Sequence, residues 1–133
     1  MREILFRGKR VDNGKWVKGC LLYDSEQNEA YIAEHFEDKA AYINQVSLET
    51  VGQYTGLTAK GAEIFEGDVL KFSYTGKGKG VEGVAVVEFD NGKFGVKWGW
   101  HKEFVPLDGF SNTEVEIIGN IHDNPELIKG EQN

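Results

Sequence analysis

Apolar and polar residues alternate with a period of two in short runs separated by turn residues, a pattern that predicts strands. Glu3–Arg7 (EILFR) is one such run, and Trp16–Tyr23 (WVKGCLLY) is a second. Between them Asp12-Asn13-Gly14-Lys15 carries an Asn-Gly pair, the signal of a type I′ hairpin turn. Tyr31-Ile32 and Tyr42-Ile43 read as short strands, with a helical turn expected between them over Glu34–Ala41 (EHFEDKAA). Ser47–Tyr54 (SLETVGQY) alternates as a strand, and Thr55–Glu66 contains a turn-like Ala-Lys-Gly. Val69–Tyr74 (VLKFSY) places Leu70, Phe72 and Tyr74 opposite to Val69, Lys71 and Ser73. Thr75–Gly83 (TGKGKGVEG) is flexible by composition. Val84–Phe89 and Lys93–Trp98 flank Asp90-Asn91-Gly92 and give the strongest hairpin signal in the chain. Glu114–His122 is the last strand, ended by Asn124-Pro125 because the residue before proline is held out of the helical region.

Many short strands without a long helix predict an all-β protein, a small barrel or sandwich. From Phe65 onward four or five strands, a long first loop and a tight middle hairpin form the pattern of an SH3-like barrel. The chain is expected to be one domain over 1–133, divided into an N-terminal β subdomain at 1–56 and the SH3-like barrel at 57–128, with 129–133 as a flexible tail.

Composition narrows the setting. At 133 residues and 40% hydrophobic the chain can bury a core without metal or disulfide. Its one cysteine, Cys20, allows no intrachain bridge, which fits a reducing compartment. The N-terminus has no apolar run long enough for a signal peptide, and no stretch approaches the ~20 apolar residues of a membrane span. A cytoplasmic protein without a membrane partner is therefore expected. The net charge of −7 is a poor match to phosphate backbones, although it is unevenly spread. Residues 1–20 carry six bases and two acids, and residues 69–102 carry six bases and three acids, while the rest is acidic.

Candidate chemistry is sparse. Gly78-Lys79-Gly80-Val81-Glu82-Gly83 matches G-x-G-x-x-G, but a strand rather than a helix follows, so no dinucleotide site is expected. His35, His101 and His122 are scattered, and Cys20 has no C-x-x-C partner, so no metal, haem or other cofactor is implied. Cys20 in GCLL reads as a small buried apolar residue. The acidic run Asp24–Asp38 lacks the spacing of a calcium loop. No nucleophile elbow is present, and no enzyme is expected.

Two features merit a binding role. Lys77 and Lys79 lie in the Gly-Lys loop, where lysines and backbone N–H groups can meet phosphates. Trp98 and Trp100 fall on one face of a strand, flanked by Lys97 and Lys102. Aromatics beside bases stack single-stranded nucleic acid at roughly 1–3 kcal/mol per base, whereas in a small barrel the same tryptophans would fill the core. With Lys71 and Lys93, these residues define a nucleic-acid-binding reading that local charge favours and net charge opposes. The competing reading is a non-catalytic module that binds a protein, with self-association open to it through edge strands.

Three stretches resemble the YopX family, small proteins encoded by phages and prophages. They are Arg2-Glu3-Ile4-Leu5-Phe6-Arg7, then Val51–Leu57 continuing through Lys60–Val69 (KGAEIFEGDV), and Ile118–Leu127 (IGNIHDNPEL). They occur in the family's order and span nearly the whole chain. FRGKRVDNG departs from members that carry a tryptophan just after the start. The resemblance implies a β-rich phage accessory protein of a bacterial host, with an SH3-like barrel in its C-terminal part and no established activity. Its partner would be a host or phage protein. The motif residues also have structural readings: Gly56, Gly61 and Gly67 suit positive-φ turns, Asp68 suits a turn cap, and Gly119-Asn120 suits a bulge.

Overall fold

The computed structural model describes residues 3–36, 39–74, 81–98, 103–109 and 113–129, and the chain there is all-β apart from one short helix. It divides into two compact units, Met1–Gly56 and Leu57–Asn133.

The first unit is an antiparallel meander of β1 (Phe6–Lys9), β2 (Trp16–Asp24), β3 (Glu29–Phe36) and β4 (Lys39–Val46). The start of β5 (Gly52–Ala59) pairs with the other side of β1, giving the order β4-β3-β2-β1-β5. The inner face follows from alternation along each strand. Val17, Ala30, Ile32 and Val46 are buried there, with Phe6, Leu21 and Val51 packed against them. The end of β4 also hydrogen-bonds the residues after β1: Val11 N–H donates to Gln45 O (3.1 Å) and Ser47 N–H to Lys9 O (2.8 Å).

Two expectations fail in this unit, and one changes form. Glu34–Ala41 is not a helical turn, because its two ends belong to β3 and β4, paired as Glu34↔Tyr42 and Phe36↔Lys39. The β-branched and aromatic flanks and the cross-strand ladder outweigh the weak helical preference of the polar middle. Leu48–Thr50 is a 3-10 turn, and the strand expected from Ser47 begins at Gly52. The Thr50 hydroxyl caps this turn by donating to Ser47 O (2.6 Å) and accepts from Lys9 N–H (2.9 Å). Asn13-Gly14 sits in a longer loop than a two-residue turn. Arg10 N–H donates to Lys15 O, and Gly14 (φ 71°) takes positive φ while Asn13 does not.

In the second unit β5 runs into a hairpin with β6 (Ala62–Phe65) through Lys60 and Gly61, both at positive φ. β7 (Asp68–Tyr74) is central in a sheet ordered β12-β7-β8, with β8 at Val81–Val86 and β12 at Thr113–Asn120. A second sheet is ordered β11-β10-β9, from β9 (Glu88–Asp90), β10 (Lys93–Trp98) and β11 (Glu103–Pro106). The expected hairpin is present: Asp90 pairs with Lys93, and Asn91 (φ 51°) and Gly92 (φ 76°) form the type I′ pair. Its first arm is split at buried Val87, whose N–H donates to Asp68 O (2.9 Å) and whose carbonyl accepts from Gly67 N–H (3.0 Å). The chain thus leaves one sheet and enters the other. Leu70, Phe72, Ala85, Val87 and Val96 form the core with Ala59 and Ile64. Among the described residues both sheets are open in hydrogen-bonded order, so the protein is all-β with open sheets rather than the closed SH3-like barrel anticipated. The register shifts between Ile117 and Gly119, so the bulge lies at Ile118, one residue before the Gly119-Asn120 position expected, and helix α1 (Glu126–Lys129) follows Pro125.

Candidate functional site

The residues singled out in the sequence separate into two groups. Lys77, Lys79, Trp100 and Lys102 lie outside the described residues. Lys97 is exposed on β10 opposite Phe104, and Trp98 ends that strand opposite Glu103. Lys93 is exposed beside the type I′ turn of the same sheet. Lys71 belongs to the other sheet, with its Nζ 4.0 Å from Glu82 Oε2. Val81-Glu82-Gly83 are paired with β7 in a strand, the context that a dinucleotide fingerprint does not have.

The family-like motifs have structural work. Gly56, Gly61 and Gly67 all take positive φ, at 86°, 84° and 94°. Asp68 is 2% exposed, and its Oδ2 accepts from Phe65 N–H at 2.7 Å, closing the turn between β6 and β7. Asn120 Oδ1 accepts from the N–H groups of His122 (3.0 Å) and Asp123 (2.9 Å), and Asn124 Oδ1 accepts from Asn120 N–H (3.3 Å).

The most developed surface lies on the first unit, on the outer face of the β1–β4 meander. Directly paired residues share a face, as do alternate residues along a strand. β1 therefore contributes Arg7 and Lys9, and β2 contributes Trp16, Lys18, Cys20, Leu22 and Asp24. β3 contributes Glu29, Tyr31 and Ala33, and β4 contributes Ile43 and Gln45. Cys20 is exposed, not buried as its GCLL setting predicts, because its alternation partners Val17 and Leu21 take the inner face. The centre of the face is apolar: Cys20, Leu22, Tyr31, Ala33 and Ile43 adjoin one another across three strands. Leu22 is 47% exposed and Ile43 is 62% exposed.

The two ends of the face differ in charge. At one, the Arg7 guanidinium carbon lies 4.7 Å and Lys9 Nζ 5.5 Å from the Trp16 ring centroid, a cation–π arrangement, with Lys18 paired to Arg7. At the other, Asp24 pairs with Glu29, and Asp24 Oδ1 accepts from Glu26 and Gln27 N–H (3.0 and 3.2 Å). The Tyr31 hydroxyl donates to the Glu29 carboxylate, which raises the phenol pKa above its ordinary value. The signal for this face was present in the alternation of WVKGCLLYD. It was obscured because an apolar residue on a strand reads as core whichever side it faces. Among the described residues, no group of three or more His, Cys, Asp or Glu side chains could hold a metal ion. Nor is any described helix long and apolar enough to cross a membrane.

Comparison with known proteins agrees with the arrangement of the motifs. No curated protein matches the chain. The crystal structure of protein EF1440 from Enterococcus faecalis is similar, with a TM-score of 0.60 at 22% identity over 97% of this chain and 100% of that one, which is a likeness of fold. The family described as YopX protein matches residues 5–129, the stretch that holds the β6–β7 turn and the β12 bulge. The chain belongs to the YopX family.

Proposed function

We propose that this is a phage- or prophage-encoded accessory protein, cytoplasmic in a bacterial host. It acts without catalysis, by binding a protein through the outer face of its first unit. One observation carries the reading. Leu22 is 47% and Ile43 62% exposed on the sheet, joined by Tyr31, Ala33 and Cys20 into one apolar area with charged margins. Scattered apolar residues are ordinary on a surface, but a contiguous patch rimmed by charge is how contact sites are built. Covering the exposed parts of Leu22 and Ile43 is worth roughly 1–2 kcal/mol each. The net charge of −7 and the pairing of Lys71 with Glu82 weigh against a phosphate-backbone partner.

The test is photo-crosslinking in cells, with a benzophenone amino acid at position 43. A discrete covalent adduct to one protein, lost when Leu22→Glu is added, is expected. Labelling indistinguishable from that of an exposed control position such as 93 would overturn the reading.

A further inference from the structure

The charges along the outer face form an ordered series. Along β2 alone the outward residues run Trp16, Lys18, Cys20, Leu22, Asp24, from a basic end through an apolar centre to an acidic end. The neighbouring strands extend each end in kind. Arg7 and Lys9 on β1 join the basic corner, and Glu29 on β3 joins the acidic corner. Tyr31, Ala33 and Ile43 widen the apolar centre.

A surface with opposite charges at its two ends and an apolar middle is complementary to itself. A two-fold axis lying between two such sheets, and crossing β2 near Cys20, turns one copy end for end. The basic corner of each copy then meets the acidic corner of the other, and apolar centre meets apolar centre. This is the isologous geometry that closed dimers use. It also suits two sheets packed face to face with their strands near alignment.

We infer that the partner of this face is a second copy of the chain, held in a two-fold dimer with Lys18 and Lys9 of one copy over Asp24 and Glu29 of the other. The inference rests on the reading of the face as a protein-contact surface, and names its occupant. An axis parallel to β2 would set base on base and acid on acid, so charge selects the end-for-end arrangement.

Sedimentation equilibrium across the micromolar range tests it, on the wild type and on Ile43→Glu, Lys18→Glu, Glu29→Lys and the double variant Lys18→Glu/Glu29→Lys. The wild type is expected to be a dimer and Ile43→Glu a monomer. Each single charge reversal faces like charges at two symmetry-related places and is expected to weaken dimerisation at least about tenfold. The double variant exchanges the two signs and is expected to recover most of the affinity, as is an equimolar mixture of the two singles. That recovery also shows that the single variants are folded. A dimer indifferent to Ile43→Glu, or a double variant no better than the singles, would overturn the arrangement. A wild-type monomer whose position-43 crosslink joins a different protein would sink the second-copy assignment and leave the contact-surface reading standing. A monomer that crosslinks to nothing would sink both.

Discussion

Replacing Asp68 with alanine should destabilise the second unit, because the hydrogen bond it accepts from Phe65 N–H is lost. The side chain is buried, and its Oδ2 takes the N–H of Phe65, itself buried at 3% exposure. Three backbone hydrogen bonds converge on the same turn: Gly67 N–H to Val87 O, Val87 N–H to Asp68 O, and Ile121 N–H to Gly67 O. The turn therefore ties together the β8–β9 junction and the end of β12. Alanine leaves the Phe65 amide without its carboxylate in a site closed to water. Losing a hydrogen bond to a charged acceptor costs about 1.5–3 kcal/mol. For 133 residues the unfolding entropy is about 0.28 kcal/mol/K, so the expected fall in Tm is about 5–11 °C. It is larger where the second unit melts by itself. Asp68→Asn keeps an acceptor oxygen and should lose roughly half as much. Differential scanning calorimetry on the three proteins reads the effect. An alanine variant that melts with the wild type would refute the assignment of this motif residue to folding.

A methyl group at Gly19 would stand 2.1 Å from the Ala33 carbonyl oxygen, where β2 passes from pairing with β1 to pairing with β3. Gly19→Ala is expected to cost about 3 kcal/mol or more in denaturant unfolding, and a loss under about 1 kcal/mol would show that the strands separate more easily than the structure implies. The Asp12 carboxyl is held below its ordinary pKa, first by its hydrogen bonds from Arg10 (3.0 and 2.7 Å). A depressed folded-state pKa stabilises above the unfolded value and is lost as pH falls through the folded one, so this exposed pair contributes only modestly and fades in acid. NMR titration should place the Asp12 midpoint low in the wild type and at its usual value in Arg10→Gln, and equal midpoints would dismiss the pairing. Fluorescence anisotropy with labelled single- and double-stranded DNA and RNA should show no binding at low salt. Salt-sensitive binding abolished by changing Lys77 and Lys79 to Glu would move the function to nucleic acid.

Much of the strand pattern was readable because local signals and tertiary needs agreed. Asn91-Gly92 demanded positive φ at both positions and obtained it, and the alternation of VLKFSY placed Leu70 and Phe72 in the core. Gly119 flanks the bulge at Ile118, and a Cβ there would stand 2.5 Å from Asn124 Oδ1. The failures share a physical origin. Glu34–Ala41 looked helical because its polar residues carry weak local preferences, and the ladder to the neighbouring strand decided otherwise. Val84–Phe89 read as one strand because nothing in its side chains reveals that both backbone groups of Val87 are claimed by Gly67 and Asp68. The outer face stayed hidden for another reason. A period of two tells which residues share a side, and not which side meets water. Leu22 and Leu21 are the same residue type on opposite faces, and only the packing of Val17, Ile32 and Val46 beneath Leu21 distinguishes them.

The alkylation rate of Cys20 tests the central claim most directly, because this single exposed thiol stands in the middle of the proposed contact face. Its reaction with N-ethylmaleimide would be followed by mass spectrometry in expressing cells and in purified protein at several concentrations. The account predicts slow labelling in cells and in concentrated protein, faster labelling on dilution, and fast labelling throughout in Ile43→Glu. Labelling of the wild type at the rate of an uncovered thiol, in cells and at every concentration, would contradict it.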